Sequence, residues 1–446
     1  MKKLRLSVKH ILVVSFFVAL SSCSEKGPMA LFKKMSPHDA YAQRLKDAGL
    51  DRSAMGNAWL QKSETSVTNA LNIDVPYKET GYFSAEKIPA AALRFNAQRG
   101  QKLHISLSKK PTQNFAIYMD LLEERNSSDR KLVASADTIG LLLDYEIKTT
   151  GKYILRLHPE LLSSGEYTVS ITSGPSLSFP VSAMGKPSIG SFWGDGRDNG
   201  GRKHEGIDIF APKLTPAVAA AEGTVTNVTE NKLGGLVVFM HPNNRDYSLY
   251  YAHLDKQLVQ NGQNVRIGDT IGLVGNTGNA RTTPSHLHFG IYTNGGAINP
   301  LPFVDRAVKN PKPISAKLNL LDATARTINT NTRLYVQPDE KAMVRTTLPI
   351  STVIQIEAAT DDWYKVSLPD GTQGYIYSKN VIPANTLRKA NVKTTQPLLD
   401  LPDTLNGARI TTLASGQAIN IKGSFKNYFL ITDKNDNTGW MEAERK

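Results

Sequence analysis

Five of the nine histidines of this 446-residue chain fall between His204 and His288, and their spacings suit metal chemistry. His204-Glu205-Gly206-Ile207-Asp208-Ile209-Phe210 sets an imidazole and a carboxylate four residues apart. A helix would bring that pair to one face. Gly206 and two β-branched isoleucines favour a strand instead, where positions i and i+4 also share a face. His286-Leu287-His288-Phe289 carries two imidazoles two residues apart. On a strand both project into one site while Leu287 and Phe289 face the core. Tyr251-Ala252-His253-Leu254-Asp255 ends an apolar strand with another histidine. Tyr251, two before it, is read onto the same face, where it either packs or orients a substrate. Imidazole nitrogen plus one carboxylate oxygen is a ligand set suited to zinc, and three protein ligands with an open fourth position make a catalytic site. Cys23 is the only cysteine, so the usual structural zinc finger is excluded.

The neighbouring residues have blander readings. Alternation turns Glu205 away from the site, and His241, before Pro242-Asn243-Asn244, reads as a turn residue. Gly234-Gly235 and Asn276-Thr277-Gly278 are tight turns. Thr282, Thr283 and Ser285 are candidates to line a groove, and 195–201 is a loop before the first ligand. His104 and His158 stand isolated and read as surface or satisfied residues.

The elements that must hold these groups are mainly β. Two short helices come first, one from Ser36-Pro37 to Gly49 and one from Asp51 to about Lys62. From about 65 to 174 the apolar residues alternate, as in Leu103/Ile105/Leu107 and Tyr167/Val169/Ile171, between turns such as Thr150-Gly151 and Ser164-Gly165. That predicts an antiparallel β-sandwich. The histidine-bearing unit spans 175–308, and Pro311-Lys312-Pro313 marks a linker over 309–325. A shift of 65 positions then superposes Leu334 on Leu399, Trp363 on Tyr428, Gly374 on Gly439 and Tyr375 on Trp440. Two copies of one small barrel follow, 326–384 and 385–446.

The stretch from Phe179-Pro180-Val181 to Ile298-Asn299-Pro300 resembles the lysostaphin-type zinc endopeptidases. The likeness rests on the motifs around His204, His253 and His288 and on Gly272-Leu273-Val274-Gly275-Asn276-Thr277-Gly278. It implies one Zn²⁺ per chain held by His204, Asp208 and His288. His286 is implied as general base or proton shuttle, and His253 as the second histidine beside the attacking water. The implied substrate is the cross-linking peptide of peptidoglycan, through D-alanyl–diaminopimelate bonds or glycine bridges. A non-catalytic or latent wall-binding protein that regulates another murein hydrolase is the alternative. Leu334-Tyr335-Val336-Gln337-Pro338, Trp363-Tyr364-Lys365-Val366 and Gly374-Tyr375-Ile376 resemble bacterial SH3-like wall-binding domains. Gly151-Lys152-Tyr153-Ile154-Leu155 with Gly165-Glu166-Tyr167-Thr168-Val169 resembles the pre-peptidase sandwiches of secreted enzymes.

Residues 1–22 read as an export signal, with a basic start and an apolar run from Ile11 to Leu20. Leu20-Ser21-Ser22-Cys23 resembles the bacterial lipoprotein box and implies acylation of Cys23, with 23–64 as tether. The expected location is the cell envelope, on the outer membrane facing the periplasm if the cell is Gram-negative. The formal charge is +13, or +9 without the four signal cations. Such a charge draws an exported protein to anionic wall polymers and lipid head groups, and export removes it from nucleic acid.

Overall fold

The computed structural model describes residues 35–136, 138, 140–197 and 201–443; Cys23 and the signal segment lie outside them. Helix α1, Pro37–Asp47, buries only His38 and Leu45. Helix α2, Ala54–Thr68, starts where the Ser53 hydroxyl accepts from the Gly56 N–H at 3.1 Å. That cap shifts the second helix toward the C-terminus of the span read from sequence, and Leu50–Arg52 forms a separate turn of 3₁₀ helix. No described helix is long and apolar enough to cross a membrane.

Beyond the helices the chain is mainly β. Two sheets make the sandwich. One runs in the order Leu71–Asn72, Ala91–Ala97, Gly151–Pro159, Ile117–Glu124, Arg130–Ser135. The other contains Tyr77–Phe83, Gly165–Pro175, Gln101–Lys110 and Leu142–Glu146. The alternating residues Leu103, Ile105, Leu107, Val169 and Ile171 all point into its core.

The second sheet does not stop at the sandwich. Thr80 and Gly81 pair with Ala359 and Ala358 on the Val353–Thr360 strand of the first barrel. Tyr335, Trp363 and Tyr375 of that barrel are buried in the sandwich core. Beneath them Glu79, fully buried, accepts from Tyr77, Tyr167 and the Lys365 ammonium, each at 2.7 Å. Burial beside that carboxylate raises all three tyrosines, 77, 167 and 375, well above the ordinary phenol range.

The second barrel uses the equivalent positions one step on, through a single parallel bridge between Thr352 and Ser424 in place of the antiparallel pairing. Ser424 donates its N–H to Ser351 of the first barrel at 2.9 Å, and the space over Gly423 is filled by Val353. Gly423 and Ser424 are the counterparts of Ala358 and Ala359 under the 65-residue shift. Leu399, Tyr428 and Trp440 likewise share a core with the first barrel.

The unit between sandwich and barrels has its own ten-stranded sheet and core. It docks on the sandwich at the turn carrying Arg245 and Asp246. Arg99 pairs with Asp246 at 2.8 Å and Arg245 with Glu146. Gly100, at φ +94°, lies under the Phe303 ring, where a Cβ would come within 2.3 Å. The docked turn opens the Ser248–Gln257 strand, and His253 lies toward that strand's other end.

Candidate metal centre

Asp208 and His288 are direct partners across antiparallel strands, Ile207–Phe210 and His286–Thr293. Their neighbours Ile207, Ile209, Leu287 and Phe289 are completely buried, so hydrophobic packing on one face fixes the polar groups on the other. His204 reaches the same spot from just before the first strand. Gly206 is required between them: a Cβ there would sit 2.7 Å from the His288 ring and 2.6 Å from the Phe289 carbonyl.

Three atoms converge. His204 Nε2 lies 3.0 Å from Asp208 Oδ1 and 3.0 Å from His288 Nδ1, and these last two are 3.1 Å apart. His204 Nδ1 donates to the Phe192 carbonyl at 2.8 Å, so in the neutral ring Nε2 carries a bare lone pair. A lone pair and a carboxylate oxygen facing each other at this distance need a cation between them. Tetrahedral zinc with bonds of about 2.0–2.1 Å would space its ligands by about 3.3 Å, close to what is seen. The donor set therefore fits the zinc expected from sequence, and it is the described cluster able to hold a metal ion.

Arg197 donates to the other Asp208 oxygen and to the Ser191 hydroxyl, both at 2.7 Å. Burial acts to raise the Asp208 pKa, but hydrogen bonds and charge from His204 and His288 hold it well below the carboxylate range. Burial pushes His288 down.

His286 and His253 flank the triad. His286 Nδ1 donates to the Pro284 carbonyl at 2.8 Å, and its Nε2 lies 3.9 Å from Asp208 Oδ1. His253 Nδ1 donates to the Thr277 carbonyl at 2.9 Å, with its ring 5.0 Å from that of His286 and 5.9 Å from that of His288. Burial, with His286 and His288 adding to it, pushes His253 down to about 4.

Simple alternation misplaces His253 relative to Tyr251. Ala252 and His253 together oppose Val237, a β-bulge, and His253 adopts φ +60°. The bulge re-aims His253 into the site, at a backbone cost of about 1–2 kcal/mol. Tyr251 consequently faces the core, fully buried, its hydroxyl accepting from the Ala220 N–H at 3.0 Å. The substrate-orienting alternative for Tyr251 is thereby excluded. Tyr250 takes the site face, its ring 5.9 Å from that of His288.

The two glycine turns do more than reverse the chain. Gly235, at φ +64°, packs against Thr277, whose hydroxyl accepts from Leu236 N–H at 3.0 Å and donates to the Leu254 carbonyl at 2.8 Å. This braces the carbonyl that orients His253. The hydroxyls of Thr283 and Ser285 are spent on the Ala280 and Ala211 carbonyls. Glu205 is exposed, and His241 is exposed at a strand end. Part of the 195–201 loop lies outside the described residues. Sequence reasoning missed Arg197, Thr277 and the carbonyls of Phe192 and Pro284. Backbone acceptors leave no signal in residue type.

Residues 202–300 match the family model described as Peptidase family M23. The chain carries a family M23 peptidase domain. Residues 329–382 match the bacterial SH3 domain model. The M23 region is 39% identical over 99 residues to the peptidoglycan DD-endopeptidase ShyC of Vibrio cholerae, covering 22% of this chain and 22% of that protein. It is also 39% identical over 145 residues to the murein hydrolase activator NlpD of Salmonella dublin, covering 31% and 36%. The lysostaphin catalytic domain of Staphylococcus simulans aligns with 29% identity over 28% of this chain and 97% of its own, at TM-score 0.25. The chain thus spans between about a fifth and about a third of these curated relatives.

Proposed function

We propose that this chain is a zinc-dependent endopeptidase that hydrolyses peptide cross-links of peptidoglycan, held in the cell envelope by an acylated Cys23. The observation that carries the reading is the convergence of His204 Nε2, Asp208 Oδ1 and His288 Nδ1 within 3.1 Å of one another, with two further imidazoles beside them.

When bound by these three ligands, zinc would polarise the scissile carbonyl and bring the pKa of a water to about 7. The remaining work falls to the side chains. Both flanking histidines donate Nδ1–H to a carbonyl, which leaves each Nε2 as an acceptor. His286, the nearer to Asp208, takes the proton of the attacking water at Nε2 and returns it to the leaving amine. His253 accepts a second hydrogen bond from the same water at its Nε2, the one lone pair its ring has free. Arg197 and the Phe192 carbonyl hold Asp208 and His204 in their ligating orientations.

The similarity to NlpD favours a second reading, a wall protein that activates another hydrolase. The complete ligand set stands against it. Purified chain lacking residues 1–23, incubated with sacculi and analysed by product mass, decides between them. Cross-links cut by the wild type, but not by His288→Ala or after chelation, establish the enzyme. Zinc bound without any cut points to a latent enzyme, and the absence of both zinc and cutting refutes the enzyme in favour of the activator.

A further inference from the structure

His158, isolated in sequence, is not isolated in the fold. Its Nδ1 lies 3.1 Å from His38 Nε2 on α1, and both rings are buried. Trp59 of α2 stacks on both, with centroids 4.0 Å from His158 and 4.9 Å from His38. Arg156 donates to His38 Nδ1 at 3.0 Å, to Ser63 at 2.6 Å and to Asp120 at 2.6 Å.

These contacts fix the protons. A guanidinium only donates, so His38 Nδ1 must be an acceptor and the ring proton sits on Nε2. That proton is donated to His158 Nδ1, which leaves the single ring proton of His158 on Nε2, where the buried atom has no partner. No site for another proton remains. On His158 Nδ1 it would face the His38 N–H; on His38 Nδ1 it would face Arg156. The surrounding charges do not help. Asp120 is already paired with Arg156, and Lys62 of α2 and Arg156 both repel a charged His158. Asp39 reaches His38 Nδ1 only at 3.4 Å, Arg44 and Glu160 pair with each other at 3.7 Å, and Tyr118 donates to Glu160.

We propose that the His38–His158 contact is an acid-labile latch, which releases α1 from the sandwich when the pair takes up a proton. Burial, then the charges of His38, Arg156 and Lys62, depress His158 well below its ordinary value. The released ring titrates near 6.5, so below that pH the released state binds more protons and docking weakens as pH falls. The other contacts of α1 lie nearer the surface: Leu45 is its other buried residue, Tyr41 packs on Trp59 and Tyr118 and accepts from the Leu161 N–H at 3.2 Å, and Arg44 reaches Tyr118 and Glu160. Its eleven residues span about 16 Å as helix and about 36 Å extended. A helix this short is marginal in water once freed from its packing. If Cys23 is the membrane anchor, as proposed above, release and unwinding together lengthen the tether by up to about 20 Å.

Hydrogen exchange on the full chain, corrected for intrinsic rates, tests the latch without reference to lipid or catalysis. Between pH 7.5 and 5.0, protection over 38–47 should fall at least tenfold more than over 151–159. Equal change in both, within twofold, overturns the proposal. His158→Asn keeps an acceptor toward His38 but cannot take the proton, so α1 should stay protected to pH 5; undiminished release refutes the latch. Should that variant fail to fold, Leu45→Ala leaves the pair intact and weakens the helix. Its release should shift to higher pH, and an unmoved midpoint counts equally against the proposal.

Discussion

Gly206→Ala places one methyl group where the fold leaves no room for it. The new Cβ would lie 2.6 Å from the Phe289 carbonyl oxygen and 2.7 Å from Cε1 and Nε2 of His288. Ordinary contacts begin near 3.4 Å, so strand or ring must move by about 0.7 Å. Phe289 cannot yield, because its side chain is completely buried and its strand is paired on both sides. The His288 ring therefore moves, and with it a metal ligand. Displacements above about 0.5 Å take a site out of its working geometry, and 1 Å can cost about 100-fold in rate. We expect zinc affinity to fall about 10–100-fold and kcat/KM by about 100-fold, with the fold retained. Zinc competition against a chromophoric chelator, peptide cleavage and thermal unfolding read the three quantities separately. Gly290→Ala is the matched control. It lies two residues past His288, but its Cβ would crowd the Tyr292 ring alone, at 2.8 Å, which can swing aside, while the Glu205 carbonyl and Tyr250 Cβ lie at ordinary contact distances of 3.4 and 3.5 Å. Zinc affinity within about twofold of wild type in Gly206→Ala would refute the argument.

Lys365→Met leaves Glu79 charged and buried without its cation and should destabilise the sandwich–barrel junction by about 3–5 kcal/mol. Adding Glu79→Gln should recover much of that loss in urea unfolding; a double variant as unstable as the summed singles would contradict it. Thr277→Val removes two hydrogen bonds behind His253, so cleavage should drop about tenfold or more while zinc affinity holds, measured on the same preparation. Chelation should abolish cleavage and lower the melting temperature of the peptidase domain, and zinc alone should restore both. Cys23→Ala should move the expressed protein from the membrane fraction to the soluble one.

Much of the site was legible because strand alternation is rigid. Completely buried Ile207, Ile209, Leu287 and Phe289 leave Asp208 and His288 no other face. His253 and Tyr251 show where that logic fails. A bulge inserts one residue, and parity reverses on a single left-handed φ that no composition signal announces. His158 was read as a surface or satisfied residue, and it is the latter; which group satisfies it was not legible, because that partner is 120 positions away and only the docking of α1 brings it near. The barrels were legible as repeats. Their mode of attachment was not, since a strand edge joining Thr80–Gly81 to Ala358–Ala359 is written in backbone atoms.

That attachment has a direction. Each barrel offers one edge, at Ala358–Ala359 or Gly423–Ser424, and receives on another. Thr352 and Val353 are buried under the second barrel, whereas their counterparts Gln417 and Ala418 are not. An interface with unlike halves propagates indefinitely wherever both halves stay free. Among the described residues both offering edges are already engaged within the chain, on the sandwich and on the first barrel. The receiving edge at Gln417 finds no complement on another folded copy. Within the described residues the series of joints therefore ends on an unlike half, at Gln417, with none of its own kind left to meet.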